Sequence, residues 1–184
     1  MSKYKTYEEA LKAIKKYGEA LRNVPEKFRD YKMCLTAVKR IASGLELEYV
    51  PKELRDYKIC LEAVKTWSEA LYFVPEEFKD YNLYLETVKR NGYALRHVPE
   101  KLIDYNMCIK AVKRYGDALQ DVPEKFTDYN LCLTAVRQSG FALDYVPEKF
   151  KDLKICLEAV KQNGYVLKYI SEKYRDIIKG ELKL

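Results

Sequence analysis

The six prolines of this chain keep one rhythm. Pro25, Pro51, Pro75, Pro99, Pro123 and Pro147 are separated by 26 residues and then by 24 residues four times over. One more step of 24 lands on Ser171, where Ile170-Ser171-Glu172-Lys173 stands in place of Val-Pro-Glu-Lys. Other residue types follow the same beat. Six of the seven glycines share a column (Gly18, Gly44, Gly92, Gly116, Gly140, Gly164), with Ser68 in the missing place. All five cysteines lie nine residues after a proline (Cys34, Cys60, Cys108, Cys132, Cys156), with Tyr84 in the gap. An aspartate lies five residues after each proline, from Asp30 to Asp152, and Asp176 holds that place after Ser171. Chance does not align four residue types in this way, so the chain is a tandem repeat. Seven units fill residues 6–29, 30–55, 56–79, 80–103, 104–127, 128–151 and 152–175, leaving 176–184 as a capping tail of a single domain, 1–184. The second unit is two residues longer, and the extra pair is best placed at Ile41-Ala42. That placement returns Ser43-Gly44 to the column of Asn91-Gly92.

A single unit shows what the repeat must become. In the unit 80–103, Asp80 is a favoured N-cap, and Tyr81, Leu85 and Val88 follow at helical spacing. Lys89-Arg90 complement the C-terminal end of that helix, and Gly92 is expected to stop it in the left-handed conformation. In the first unit Thr6-Tyr7-Glu8-Glu9 reads as a capping box. The second half carries Ala94, Leu95, Val98 and Leu102 at helical spacing, interrupted by Pro99. It predicts a short helix that kinks or restarts at Val-Pro-Glu. Neither half can bury its apolar face alone, so units must stack on one another. The predicted fold is all-α: an α-solenoid of about seven two-helix repeats of 24 residues, stacked as a single layer pair.

The segments Val-Pro-Glu-Lys-Phe-Lys-Asp (146–152) and Ala-Val-Lys-Gln-Asn-Gly-Tyr-Val-Leu-Lys-Tyr (159–169) carry a resemblance. The chain resembles a bacterial domain-of-unknown-function family of short tandem helical repeats, with the signature Ala-Val-x-x-x-Gly-x-Ala-Leu-x-x-Val-Pro-Glu. The likeness covers residues 6–175 and implies a fold, with no activity, cofactor or catalytic residue attached. Ser68, Tyr84, Ser171 and the two-residue insertion depart from the pattern and bear on local geometry.

Chemistry-bearing residues fit structural roles. The cysteines form no Cys-x-x-Cys, and one histidine cannot complete several zinc sites. Successive cysteines sit on successive solenoid turns roughly 10 Å apart, too far for a disulfide. They read as small core residues. The recurrent aspartates read as caps. His97 lies in a column of changing residue type, a surface position, with no nucleophile partnered to it. The glycines are single and widely spaced, so no phosphate-cradling loop forms. The reading is therefore not an enzyme, with no cofactor, no metal and no small-molecule substrate. The N-terminus lacks the apolar stretch of a signal peptide, and no apolar run reaches the ~18 residues of a membrane span. The expectation is a cytoplasmic protein with no membrane partner.

In a solenoid, constant columns build the fold and varying columns face partners. Two candidate surfaces result. One is a basic stripe at the ends of the first helices: Lys39, Arg40, Lys65, Lys89, Arg90, Lys113, Arg114, Arg137 and Lys161. The other gathers rings from the varying columns around the second half: Tyr72, Phe73, Tyr93 and Tyr145, with Phe141, Tyr165 and Tyr169, and with Trp67 as a candidate exposed anchor. Tyrosine and arginine are enriched at protein interfaces. The 34 Lys+Arg against 28 Asp+Glu give only +6, and acids such as Glu76 and Glu100 recur beside the basic columns. The favoured function is a macromolecular interaction module binding another protein, as scaffold, adaptor or inhibitor. Nucleic-acid binding through the basic stripe is the alternative.

Overall fold

Each first helix begins where an oxygen-bearing side chain can take up a free backbone N–H. A computed structural model describes residues 3–40 and 46–183. Its α-helices are α1 (Tyr7–Lys16), α2 (Tyr31–Arg40), the short α3 (Glu46–Tyr49), α4 (Tyr57–Thr66), α5 (Tyr81–Arg90), α6 (Tyr105–Arg114), α7 (Tyr129–Gln138), α8 (Leu153–Gln162) and α9 (Glu172–Leu182). No strand occurs among the described residues. Asp30, Asp56, Asp80, Asp104, Asp128 and Asp152 each accept the N–H three residues on, each worth about 1 kcal/mol. Thr6 and Glu9 form the reciprocal capping box. Asp176 breaks the series: it lies exposed inside α9 and caps nothing. The Ile41-Ala42 insertion and Gly44 lie outside the described residues.

The caps also join one repeat to the next. Tyrosine opens most of the long helices, and its hydroxyl donates to the cap aspartate of the following repeat. Tyr7 donates to Asp30 at 2.8 Å, Tyr57 to Asp80 at 3.2 Å, Tyr105 to Asp128 at 3.4 Å and Tyr129 to Asp152 at 2.9 Å. The aspartate bond is the main cause that raises the Tyr7 phenol above its usual range, whereas desolvation leads at Tyr129.

In α2 and α4 to α8 the buried face holds the third, fourth, seventh and eighth residues, as in Ile59, Cys60, Ala63 and Val64. In α5 these are Leu83, Tyr84, Thr87 and Val88. Tyr81 and Leu85, expected in the core stripe, are only half-buried at its margin. All five cysteines are buried, free and unpaired by disulfide. Burial pushes their thiols up, to about 11 at Cys34, Cys60 and Cys132 and about 12 at Cys108.

In the second repeat the described part of the second half is the short α3; in the other six it is a six-residue 3-10 helix rather than the α-helix expected: Gly18–Asn23, Ser68–Phe73, Gly92–His97, Gly116–Asp121, Gly140–Tyr145 and Gly164–Tyr169. A three-residue turn such as Glu100–Leu102 follows the proline. The physical reason lies in the spacing: glycine, leucine and valine recur at i, i+3 and i+6, as in Gly92, Leu95 and Val98, which is the 3-10 period. The valine N–H bonds back three residues, as Val98 does to the Leu95 carbonyl at 3.0 Å. The proline that follows has no N–H with which to continue.

The glycine also does something other than expected. It does not adopt the left-handed conformation; the long helix is stopped one residue earlier, by an extended residue such as Tyr115 (φ −143, ψ 114). The glycine is there because the next helix passes against it. A Cβ on Gly92 would stand 2.4 Å from the Ala111 carbonyl oxygen, on Gly116 2.4 Å from that of Ala135, and on Gly140 2.6 Å from that of Ala159. A Cβ on Gly164, in the last repeat, would meet nothing within 4 Å. Ser68 shows the consequence of a side chain in this column. Its facing helix carries Thr87 in place of alanine, and Ser68–Phe73 touches α5 far more sparsely than Gly18–Asn23, Gly92–His97, Gly116–Asp121 and Gly140–Tyr145 touch the helices that follow them.

The chain divides into two compact units, Met1–Arg90 and Asn91–Leu184. In the first, α1, α2, α4 and α5 pack side by side, and Gly18–Asn23, α3 and Ser68–Phe73 form the second row. Arginines tie that row together: Arg29 donates to the Val24 and Tyr49 carbonyls, and Arg55 to those of Glu48, Val50 and Phe73. In the second unit α6, α7, α8 and α9 form one row and the four 3-10 helices from Gly92 to Tyr169 form the other. Each unit is a short stretch of all-α repeat solenoid. Helix α9 starts at the place of the post-proline turn and runs on through the expected repeat boundary at 175/176, with Ile178 buried. No described helix is long and apolar enough to cross a membrane.

Candidate functional site

The basic columns lie where the spacing put them, in the last turns of the long helices, where lysine and arginine oppose the helix dipole. In the first unit Lys39, Arg40, Lys65, Lys89 and Arg90 end α2, α4 and α5. In the second, Lys113, Arg114, Arg137 and Lys161 end α6, α7 and α8. The stripe is not a field of one sign. Glu62 lies between Lys39 (3.9 Å) and Lys65 (3.5 Å), and Glu86 pairs with Lys89 at 2.6 Å. Glu158 joins Arg137 at 2.6 Å to Lys161 at 3.2 Å, and these cations, Arg137 first, hold its carboxyl below the ordinary range.

The rings are placed by the 3-10 row. In each of these 3-10 helices side chains three apart eclipse one another: the glycine–leucine edge faces the core, the alanine beside it packs inward as Ala142 does, and the residue after the glycine and the last two residues lie toward the surface. In the second unit these outward positions carry Phe141, Tyr145, Tyr165 and Tyr169, all exposed, Tyr165 to 79%. Tyr93 is half-buried: its ring stacks on Tyr115 at 5.0 Å and 19°, and its hydroxyl donates to Asp117 at 3.5 Å. Desolvation, with the Asp117 charge next, raises its phenol. Arg96 lies over the Tyr93 ring at 5.7 Å and donates to Asp121 of the next repeat at 3.2 and 3.3 Å. In the first unit Trp67 is 42% and Tyr72 68% exposed, while Phe73 is half-buried and its carbonyl is held by Arg55. His97 is exposed.

Trp67 stands in the extended stop position, a column that also holds Tyr17 and Tyr115, both exposed. Tyr115 escaped the sequence reading because that column is aromatic only at some repeats and was read at Trp67 alone. Asp117 was missed too; it sits in the same column as Phe141 and Tyr165, with its Oδ1 buried and without a partner.

In the second unit the second row leaves two clefts between successive repeats. One cleft is lined by Leu95, Arg96, Val98 and Glu100 on one repeat and Asp121, Val122 and Pro123 on the next. Two repeats further on, a more enclosed one has Leu143, Asp144, Glu148 and Lys151 opposite Tyr169, Ile170, Ser171 and Tyr174, with Cys156 also lining it.

The model of a family described as a domain of unknown function, DUF4116, matches residues 7–55, 30–79, 80–127 and 128–175, each match spanning two successive repeats. Comparison with curated proteins and with solved structures returns no match.

Proposed function

This chain belongs to the DUF4116 family, and we propose that it is a non-catalytic docking module whose partner is another protein, bound on the 3-10 row of the unit Asn91–Leu184. One observation carries this reading. Phe141, Tyr145, Tyr165 and Tyr169 stand exposed on that row, in columns that range over charged, polar and aromatic types, while the columns facing the core stay small or apolar at most repeats. Rings of this kind supply much contact area at small conformational cost, which makes them frequent interface anchors. Folding does not need them exposed, and exposed apolar side chains gathered on one row are of the kind that marks binding sites.

Nucleic-acid binding through the helix ends is the second reading. It draws on α6, where Lys110 takes the column held by Glu62, Glu86 and Glu158 and joins Lys113 and Arg114. Against it stand the glutamates that pair with the rest of the stripe. Capture of partners by the tagged protein from its native cell, with and without nuclease, separates the two. The docking reading expects the same proteins in both samples; loss of all of them on nuclease treatment refutes it.

A further inference from the structure

Asparagine precedes glycine at two places in the chain, Asn91-Gly92 and Asn163-Gly164, and both pairs occupy the same column. Here the side-chain amide is open to attack by the next backbone nitrogen, because glycine has no Cβ to obstruct the approach. The two pairs start from the same local geometry. Asn91 is extended (φ −135, ψ 104), and so is Asn163 (φ −149, ψ 105). Each Oδ1 accepts the N–H two residues on, from Tyr93 at 3.1 Å and from Tyr165 at 3.0 Å. That bond steadies the oxygen on which negative charge develops when Cγ is attacked, and it is present at both places.

What differs is the cover over the glycine. Ring closure requires the glycine nitrogen to swing toward the asparagine Cγ. The peptide between the two residues turns over and carries the glycine Cα with it. Gly92 is buried and is held in place: a Cβ there would stand 2.4 Å from the Ala111 carbonyl oxygen and 3.1 Å from the carbonyl carbon. Gly164 is exposed, and a Cβ on it would meet nothing within 4 Å. With Gln162, Asn163 and Tyr165 it lines an open hollow.

We infer that Asn163 is a site of spontaneous deamidation in the folded protein, and that Asn91, in the same column, is protected by the repeat packed against it. The Gly164 nitrogen gives up its proton to solvent and bonds to Asn163 Cγ. The bond from Cγ to the side-chain nitrogen breaks, and that nitrogen takes a proton from water and leaves as ammonia. Water then opens the cyclic imide at one of its two carbonyls. Opening at one gives aspartate; opening at the other gives isoaspartate, in which the main chain runs through the former side chain. Either product places a negative charge two residues from Tyr165, on the row proposed to dock a partner. The chemistry does not depend on that docking reading.

The test incubates the full chain at physiological temperature and mildly alkaline pH, folded in one sample and in denaturing urea in another. Trypsin releases Asn91–Arg96 and Gln162–Lys168 as separate peptides. Mass spectrometry reads the fraction of each in which the amide has become a carboxyl group. In the folded chain Asn163 is expected to convert at least about tenfold faster than Asn91, which reacts only when its junction opens. In urea the two are expected to convert at similar rates, because Arg90-Asn-Gly-Tyr and Gln162-Asn-Gly-Tyr differ only in their first residue. Gly164→Ala, whose Cβ has room, is expected to slow conversion at Asn163 severalfold, to leave Asn91 unchanged and to melt no lower than the parent. Equal rates in the folded chain, no conversion at Asn163 where the urea sample converts, or a Gly164→Ala variant that converts as fast as the parent overturns the inference.

Discussion

The column of glycines permits a paired test of what holds the repeats together. Gly116 and Gly164 occupy the same place in their repeats, and neither has a left-handed backbone. At Gly116 an added Cβ would lie 2.4 Å from the Ala135 carbonyl oxygen and 2.8 Å from the Ser139 nitrogen, both backbone atoms. Roughly 1 Å must then be yielded between two packed backbones, which belongs at or above the top of the ~1–3 kcal/mol range for overpacking. Against it stands the ~0.4–1 kcal/mol gained when the unfolded chain loses glycine's freedom. Gly116→Ala is thus expected to destabilise by about 2 kcal/mol or more. At Gly164 the Cβ meets nothing, only the gain remains, and Gly164→Ala is expected to be neutral or to stabilise by up to ~1 kcal/mol. The two variants should differ by about 3 kcal/mol, or about 6–12 °C in melting temperature for a chain of this size. Urea unfolding followed by circular dichroism reads the difference. Equal destabilisation of both would show that the glycines serve a local backbone conformation, and the close-approach argument would fail.

Four further outcomes follow from the same geometry. The cysteine thiols are raised in the folded chain, so their contribution is complete below the unfolded value near 9. It is lost as pH climbs toward 11–12, because the unfolded chain ionises first. Stability should fall by about 1.4 kcal/mol per pH unit per thiol in that window, and Cys108→Ala should flatten the slope by one such share; a slope unchanged by that variant contradicts the assignment. Native thiol labelling should be slow throughout, with Cys156 first, since it lines a cleft and is 4% exposed where the other four are at 0%; rapid labelling of all five would remove them from the core. Tyr129→Phe should cost roughly 0.5–1.5 kcal/mol by deleting the 2.9 Å bond to Asp152, and no loss would make the inter-repeat bond irrelevant. Reversing Lys89, Arg90, Lys113 and Arg114 to glutamate should cost ~0.3–1 kcal/mol at each helix end and leave partner capture intact; loss of binding in a folded variant would move function to the basic stripe.

Much of the fold was legible because repetition turns single residues into columns. A lone Asp-x-x pattern is weak, but the same aspartate after six prolines identifies the caps of α2 and of α4 to α8. Asp176 misled because the column continued in sequence after Ser171 had replaced proline, and α9 then ran on without a break. The second helix was misread in type. Val98 and Leu102 four apart suggested an α-helix, yet Gly92, Leu95 and Val98 already carried the three-residue period. The glycine's reason for being there was not readable, since it depends on the distance to a carbonyl about 19 residues later, as at Gly92 and Ala111. The basic residues end their helices at the positions their spacing implied. Their neutralisation by Glu62, Glu86 and Glu158 depends on side-chain reach between neighbouring helices, which spacing alone does not give. The Tyr93–Tyr115 stack joins two different columns from two repeats, so no single-column reading could find it.

The most direct test of the docking account places a photo-crosslinking phenylalanine analogue at one position at a time in the full-length protein, inside its native cell. Tyr165 represents the exposed 3-10 row of the second unit, and Lys113 represents the basic helix ends. The account predicts a discrete protein adduct from position 165, suppressed by Phe141→Ser, and none of that mass from position 113. An adduct from position 113 with none from 165 contradicts it.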